Sequence, residues 1–314
     1  MKNYKWGIAG TGGIAHEFAS NFNGKQSSLA AVASRTSKKA AEFAQRYEIP
    51  ASYGTYEEML TSDIDIVYVA VPNAAHYNYI KKALLADKHV LCEKAITMNL
   101  AELEDVMKIA TEKNLILQEA MTIFNMPLYD ELTRLIDQNK LGQLKMIQAP
   151  FGSYKEPDPK NRFFNPDLAG GALLDIGTYA VSFARYFLSS APKVIASTMV
   201  PFETGVDEQS VTILRTQENE LATVSLSFQA KMPKVGIVAF ENGYLEIPDY
   251  PRAAKAILTY TDGSKETIIS GASEAAFQYE IDNFTATIEG QPNKSLFLTH
   301  DVIRILDQMQ KDWA

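Results

Sequence analysis

The chain has 314 residues, 46% of them apolar, and a formal charge of −8 at neutral pH. That length exceeds what a single core usually serves, so two domains are expected, and an acidic chain without a concentrated basic face is not a general nucleic-acid binder. One cysteine, Cys92, excludes an internal disulfide framework and a cysteine-based metal cluster, and the histidines at 16, 76, 89 and 300 lack ligand spacing, so no metal centre is expected.

No apolar run approaches the ~20 residues of a membrane helix. Glycines and His16 interrupt the first apolar stretch, which argues against a signal peptide; the expected location is cytoplasmic.

In chain order, Lys5-Trp6-Gly7-Ile8-Ala9 reads as a strand, followed by Gly10-Thr11-Gly12-Gly13-Ile14-Ala15 and a helix to Phe22. Gly10 suits a tight turn, Gly12 a close approach of backbone to a pyrophosphate, and Ala15 close helix–strand packing, the pattern of a dinucleotide site to which Thr11, Gly13 and Ile14 also belong. Alone this is also an ordinary strand-to-helix turn. A second strand, Leu29 to Ser34, lies at the distance a strand-helix-strand unit needs.

That strand ends in Ser34-Arg35-Thr36-Ser37-Lys38. An acidic residue at this corner binds the ribose of NAD, whereas arginine accommodates the 2′-phosphate of NADP. With no carboxylate present, Arg35 as a fork and Lys38 as a point charge favour NADP over NAD. The same residues also read as a solvated loop with Ser37 capping a helix from Lys38 to Tyr47.

Ala51-Ser52-Tyr53 is a short strand, Tyr56 to Leu60 a helical turn, and Ile64 to Val71 a strand apolar enough to be covered on both faces. It runs into Pro72-Asn73-Ala74-Ala75-His76, a loop at the ligand edge of an open sheet, where Asn73 and His76 are candidates for the ribose or nicotinamide end, or His76 simply makes a local hydrogen bond in the following helix. A fifth strand delivers Glu93 and Lys94 to the same edge, a helix spans Leu100 to Thr111, and Leu115 to Met121 is a sixth strand. Residues 1–121 are therefore expected to form a doubly wound, parallel α/β nucleotide domain.

Residues 122–314 follow another grammar. A helix at Asp130 to Gln138 and a strand near Leu144 to Pro150 precede a long polar loop, Gly152 to Gly170, of a length that is usually functional or disordered. Its Arg162, with Phe163 and Phe164, reads equally as a substrate lid or as an anchor. The loop ends in Gly170-Gly171-Ala172-Leu173-Leu174-Asp175-Ile176-Gly177-Thr178-Tyr179 and a helix to about Leu188, on which Asp175 and Tyr179, four apart, share a face. As a plain helix start, Asp175 would favour the positive end of the dipole and Tyr179 would be half-buried. Seven strand-like runs from Val194 to Ser270, joined by short turns, predict a large and mostly antiparallel open sheet, with helices at Tyr279 to Ile288 and Leu296 to Gln310 closing the chain in the same domain. A sheet that size covered on one face would pair the other with a second copy.

Taken together, Gly10 to Ala15, Pro72-Asn73 with His76, Glu93-Lys94, and Gly170 to Gly177 followed by Tyr179 resemble the glucose-fructose oxidoreductase, inositol dehydrogenase and rhizopine-catabolism (Gfo/Idh/MocA) family over nearly the whole chain. Tyr179 is similar to the dihydrodiol and D-xylose dehydrogenase branch, and Ser34-Arg35 is similar to the family's NADP-using members. The resemblance implies a Rossmann domain carrying NADP or NAD, a C-terminal α+β domain, a homodimer or homotetramer through its sheet, and hydride transfer at a hydroxyl or carbonyl of a sugar, polyol or diol. Its catalytic positions fall on Lys94, Asp175 and Tyr179, which with Arg162 would also hold substrate.

In that chemistry Tyr179 takes the hydroxyl proton, Lys94 lowers the tyrosine's pKa and holds the substrate oxygen, and Asp175 orients a neighbouring hydroxyl or the lysine. Ala95 stands where the family has proline after glutamate-lysine, which leaves Lys94 less rigidly held. Two other functions fit the same resemblance: a regulator that binds nucleotide and sugar without turnover, and an oxidoreductase that recycles a tightly bound NADP.

Overall fold

The computed structural model describes residues 2–24 and 26–314. Two compact units emerge, Met1–Ala120 with Phe277–Leu296, and Met121–Ala276 with Phe297–Ala314.

In the first unit β1 (Tyr4–Ala9), β2 (Ser27–Ala33), β3 (Ala51–Tyr53), β4 (Ile66–Val69), β5 (His89–Glu93) and β6 (Leu117–Ala120) make a parallel sheet of order β3-β2-β1-β4-β5-β6. Between them run α1 (Gly13–Asn21), α2 (Ser37–Arg46), α3 (Tyr56–Leu60), α4 (His76–Leu85) and α5 (Leu100–Glu112). β4 is buried at every position, as its unbroken apolar sequence requires of a strand covered on both faces. The strand order reverses between β1 and β4, and ligands of such sheets bind beyond the carboxyl ends at that switch.

The second unit opens with α6 (Pro127–Asp137) and β7 (Leu144–Gly152). After a long connection, a wide π turn, Leu173–Gly177, continues into α7 (Thr178–Phe187). β8 (Lys193–Pro201), β9 (Asp207–Arg215), β10 (Leu221–Ser227), β11 (Val235–Phe240), β12 (Gly243–Pro248), β13 (Lys255–Tyr260) and β14 (Lys265–Ile269) join β7 in a sheet of order β14-β13-β12-β11-β7-β10-β9-β8. Every neighbour is antiparallel except β7 with β10. α7 lies so close to one face that a β-carbon on Gly236 would stand 2.1 Å from the Phe183 ring. Alternation sends Val211, Ile213, Met146 and Tyr244 to the other face, where they remain exposed.

Two final helices follow, α8 (Ala276–Ile288) and α9 (Leu296–Trp313). The division expected at 121/122 needs one correction, because α8 from Phe277 onward belongs to the first unit. Phe277, Ile281 and Phe284 enter the cluster around the fully buried Trp6, whose indole lies 5.6 Å from the Phe284 ring and 5.8 Å from Phe18. An amphipathic period says that a helix has an apolar face; it does not say which core receives it. α9 stays with the second unit, where Asp301 accepts from Arg185 Nε at 2.7 Å and Trp313 Nε1 donates to Ser197 Oγ at 2.9 Å.

Smaller differences are local. Ser37 is the first residue of α2 and not its cap; Thr36 holds that place without a side-chain hydrogen bond, and Ser37 Oγ packs against Gly54. The Gly152 to Gly170 connection is ordered through its own interior: Phe164 is fully buried against Phe202 and Phe228, and Gly170 and Gly171 donate back to the carbonyls of Asn165 and Phe163. Among the described residues no helix is long and apolar enough to cross a membrane.

Candidate active site

In the first unit the glycine turn and the end of β2 come together. Gly10 N donates to Ala33 O at 2.9 Å, and Thr11 Oγ1 lies 3.2 Å from Ser34 Oγ. Gly10 sits at φ +111°, and a β-carbon there would fall 2.4 Å from the Ala70 carbonyl oxygen, so the turn requires glycine on two counts. Around Gly12 and Gly13 the space where a β-carbon would point is open. α1 begins there with no side-chain cap and no acidic residue in its first turn, while Ala15 is fully buried beneath. Free N–H groups at a helix start, open glycine backbone and no competing carboxylate fit a dinucleotide's pyrophosphate.

Arg35 and Lys38 are exposed beside this turn, and Lys38 lies 3.9 Å from Glu42 one helical turn on, a pairing too exposed to hold it. Ile14 is partly buried against the Trp6 cluster. Pro72 is exposed and Asn73 half-buried in a short turn following β4, closed by Ala75 N donating to Pro72 O at 2.8 Å.

Two residues expected at the cofactor are buried and held by protein partners. His76 is fully buried, with Nδ1 2.8 Å from Ala95 O and Nε2 2.9 Å from Val71 O, and burial pushes its pKa below the ordinary imidazole value. Its ring braces the two loops that carry Val71 and Ala95. Glu93 is also buried and accepts from the Tyr68 hydroxyl, because strand alternation puts it on the face of β5 that carries Leu91 into the core. Cys92, on the opposite face, is buried, which pushes its thiol well above its ordinary pKa and leaves it inert.

Lys94 follows β5 directly. The Lys94–Ala95 peptide is cis. Despite the missing proline, the chain after Lys94 is tied on both sides: Ala95 is fully buried with its carbonyl against His76, and Ile96 N donates to Glu119 Oε1 at 3.0 Å. Sequence reading missed Glu119, and only its charge inside the apolar sixth strand marked it out.

In the second unit the run from Gly171 to Arg185 is buried at every residue but two, Asp175 and Tyr179. Both are half-buried, Asp175 in the π turn and Tyr179 in the first turn of α7. Arg162 reaches toward them, its Nη2 3.8 Å from Asp175 Oδ1, and its guanidinium lies 4.4 Å from the Phe163 ring. Lys155 Nζ stands 4.2 Å from that same ring. The Tyr179 ring lies 6.2 Å from Phe151. The loop therefore divides its work, Phe164 anchoring it from below while Arg162 remains exposed above Asp175. A cavity of about 200 Å³ lined by Glu131, Leu135 and Glu266 to Ser270 touches none of these residues.

Comparison with known proteins agrees with this architecture. Residues 4–121 match the oxidoreductase family with an NAD-binding Rossmann fold, and 129–246 match the GFO/IDH/MocA C-terminal domain. A trans-1,2-dihydrobenzene-1,2-diol dehydrogenase from Danio rerio is 35% identical over 249 residues, 78% of this chain and 74% of its own. A D-xylose 1-dehydrogenase (NADP(+)) from Haloferax volcanii is 31% identical over 291 residues, covering 90% and 89%. The solved structure of KijD10, a 3-ketoreductase from Actinomadura kijaniata in complex with NADP and TDP-benzene, superposes with a TM-score of 0.87 at 22% identity, covering 99% and 98%, a likeness of fold. The chain belongs to the Gfo/Idh/MocA family of NAD(P)-dependent oxidoreductases.

Proposed function

We propose that this chain is an NADP-preferring dehydrogenase or reductase acting on a hydroxyl or carbonyl of a sugar, polyol or diol, with Lys94, Asp175 and Tyr179 at the reacting centre. The observation that carries it is that Asp175 and Tyr179 alone stay partly accessible within the otherwise buried segment from Gly171 to Arg185, since two polar groups left so selectively within reach of solvent serve chemistry better than packing. The names of the two relatives, a dihydrodiol dehydrogenase and an NADP-using xylose dehydrogenase, support the substrate class.

A nicotinamide cofactor held beside Gly10, Gly12 and Gly13 would supply or accept the hydride. The protein's part is the proton. A free tyrosine titrates near ~10, too high for a base at neutral pH, and a neighbouring ammonium favours the phenolate. Tyr179 takes the hydroxyl proton in oxidation and returns it in reduction, Lys94 stabilises the phenolate and the substrate oxygen, and Asp175 and Arg162 orient the neighbouring hydroxyls. The reading is tested by following NADP⁺ and NAD⁺ reduction over pentoses, hexoses, inositols and dihydrodiols. Nucleotide binding without reduction of either cofactor on any of them would point to a sensor.

NADP preference rests on the corner where Thr11 meets Ser34, with Arg35 exposed beside it and no carboxylate before Glu42. One charge-assisted fork there is worth ~1.5–3 kcal/mol, so Arg35→Asp should raise the KM for NADP⁺ by about 10- to 100-fold and leave that for NAD⁺ unchanged or lower. An unchanged cofactor ratio in steady-state kinetics would remove Arg35 from the site.

Self-association follows from the open sheet face. Val211 and Ile213 of β9 stay 49% and 38% exposed, and Met146 and Tyr244 continue the apolar strip across β7 and β12. A second copy is the occupant that completes such a face. Val211→Asp is expected to shift the wild-type dimer or tetramer to monomer in sedimentation velocity, and a monomeric wild-type protein would refute the interface.

A further inference from the structure

Asp207 is a buried carboxylate that the proposed chemistry does not use. It opens β9, is 8% exposed, and its Oδ2 accepts from the backbone N–H of Leu173 at 2.8 Å. Its Oδ1 occupies the space beside Gly171, standing 2.3 Å from where a β-carbon would be, and Gly171 holds φ +113°. The turn thus closes on the carboxylate only because Gly171 has no side chain. Leu173 is the first residue of the π turn that presents Asp175 and runs into α7 with Tyr179.

We propose that Asp207 is a positioning residue for the proposed active site: its carboxyl group fixes the start of the π turn, and through it the placement of Asp175 and Tyr179. This rests on the functional reading above, but its structural half stands without it. The neighbouring charges do not compensate Asp207. Among the described residues it makes no ion pair; Glu208 beside it accepts from Gln229 at 2.7 Å, and Arg162 faces Asp175 across the turn.

Burial without a cation raises the Asp207 pKa to about 7, against which the Leu173 and Asp207 backbone N–H groups pull only partly. The closed turn therefore binds the proton more tightly than an opened, solvated one. By linkage the closed turn is most favoured with Asp207 protonated, although ionisation strengthens the N–H···O bond itself, and that advantage is lost as pH rises to about 7. Loss of the acceptor is a different perturbation, because it leaves the buried Leu173 N–H without a partner at every pH.

The test is hydrogen–deuterium exchange of the peptide spanning residues 170–180 in the full chain between pH 5.5 and 8.5, corrected for intrinsic exchange. Wild-type protection is expected to fall from pH 5.5 to about 7 and to level off above it. Asp207→Asn, neutral throughout and still offering an oxygen, should hold the protected level without that step. Asp207→Ala should lose about tenfold protection at all pH values in this peptide, with the first unit unchanged. With NADP⁺ and D-xylose or trans-1,2-dihydrobenzene-1,2-diol, kcat in Asp207→Ala should fall about tenfold while the KM for NADP⁺ holds.

Equal protection in wild type and Asp207→Ala, or a loss spread evenly over both units, would overturn the proposal. Normal local exchange effects with no turnover by any form would instead count against the assigned reaction.

Discussion

Tyr179→Phe is expected to lower turnover by about 10²- to 10⁴-fold, the range supplied by a positioned acid or base, while leaving NADPH affinity unaltered. The phenyl ring keeps the contact with Phe151, so the loss reads the hydroxyl and not the packing. If Lys94 acts by holding the phenolate, Lys94→Ala costs a similar factor and the double variant little more, since groups working as one unit are not additive. Asp175→Asn, by contrast, should act mainly on the substrate KM. Steady-state kinetics with a parallel fluorescence titration of NADPH separates these outcomes, and full activity in Tyr179→Phe would sink the assignment.

The second large effect lies in the glycine turn, where two substitutions should fail for different reasons. A β-carbon at Gly12 meets nothing within 4 Å, so Gly12→Val should unfold at the wild-type temperature yet bind NADPH about 10- to 100-fold more weakly, because it fills the space the pyrophosphate needs. Gly10→Ala instead drives a methyl group into the Ala70 carbonyl from a positive-φ position. It should cost at least ~1–3 kcal/mol of stability as well as binding. Thermal unfolding beside nucleotide titration distinguishes the two. Normal binding by Gly12→Val would mean that the pyrophosphate does not pass there.

Much of this was legible in the chain itself. Strand and helix periods alternate too regularly between Tyr4 and Ala120 to suit anything but a doubly wound sheet, and the apolar run through β4 marked a strand buried on both faces. The spacing of Asp175 and Tyr179 suggested a shared helical face, whereas a π turn and not an α-helix carries Asp175. Local rules determine such features, because backbone sterics and side-chain period act over a few residues.

What the tertiary structure decided depends on partners distant in sequence. Nothing local to His76 shows that its ring would meet the carbonyls of Val71 and Ala95, nor does a glutamate ending a strand show that it would turn inward to Tyr68. α8 is amphipathic in sequence, and only Trp6, some 270 residues earlier by rough count along a two-domain chain, explains which unit receives it. Asp207 was invisible for the same reason. A carboxylate opening a strand reads as solvated until the fold lays Gly171 and the Leu173 amide against it, and burial then gives it a proton affinity that its sequence neighbours do not.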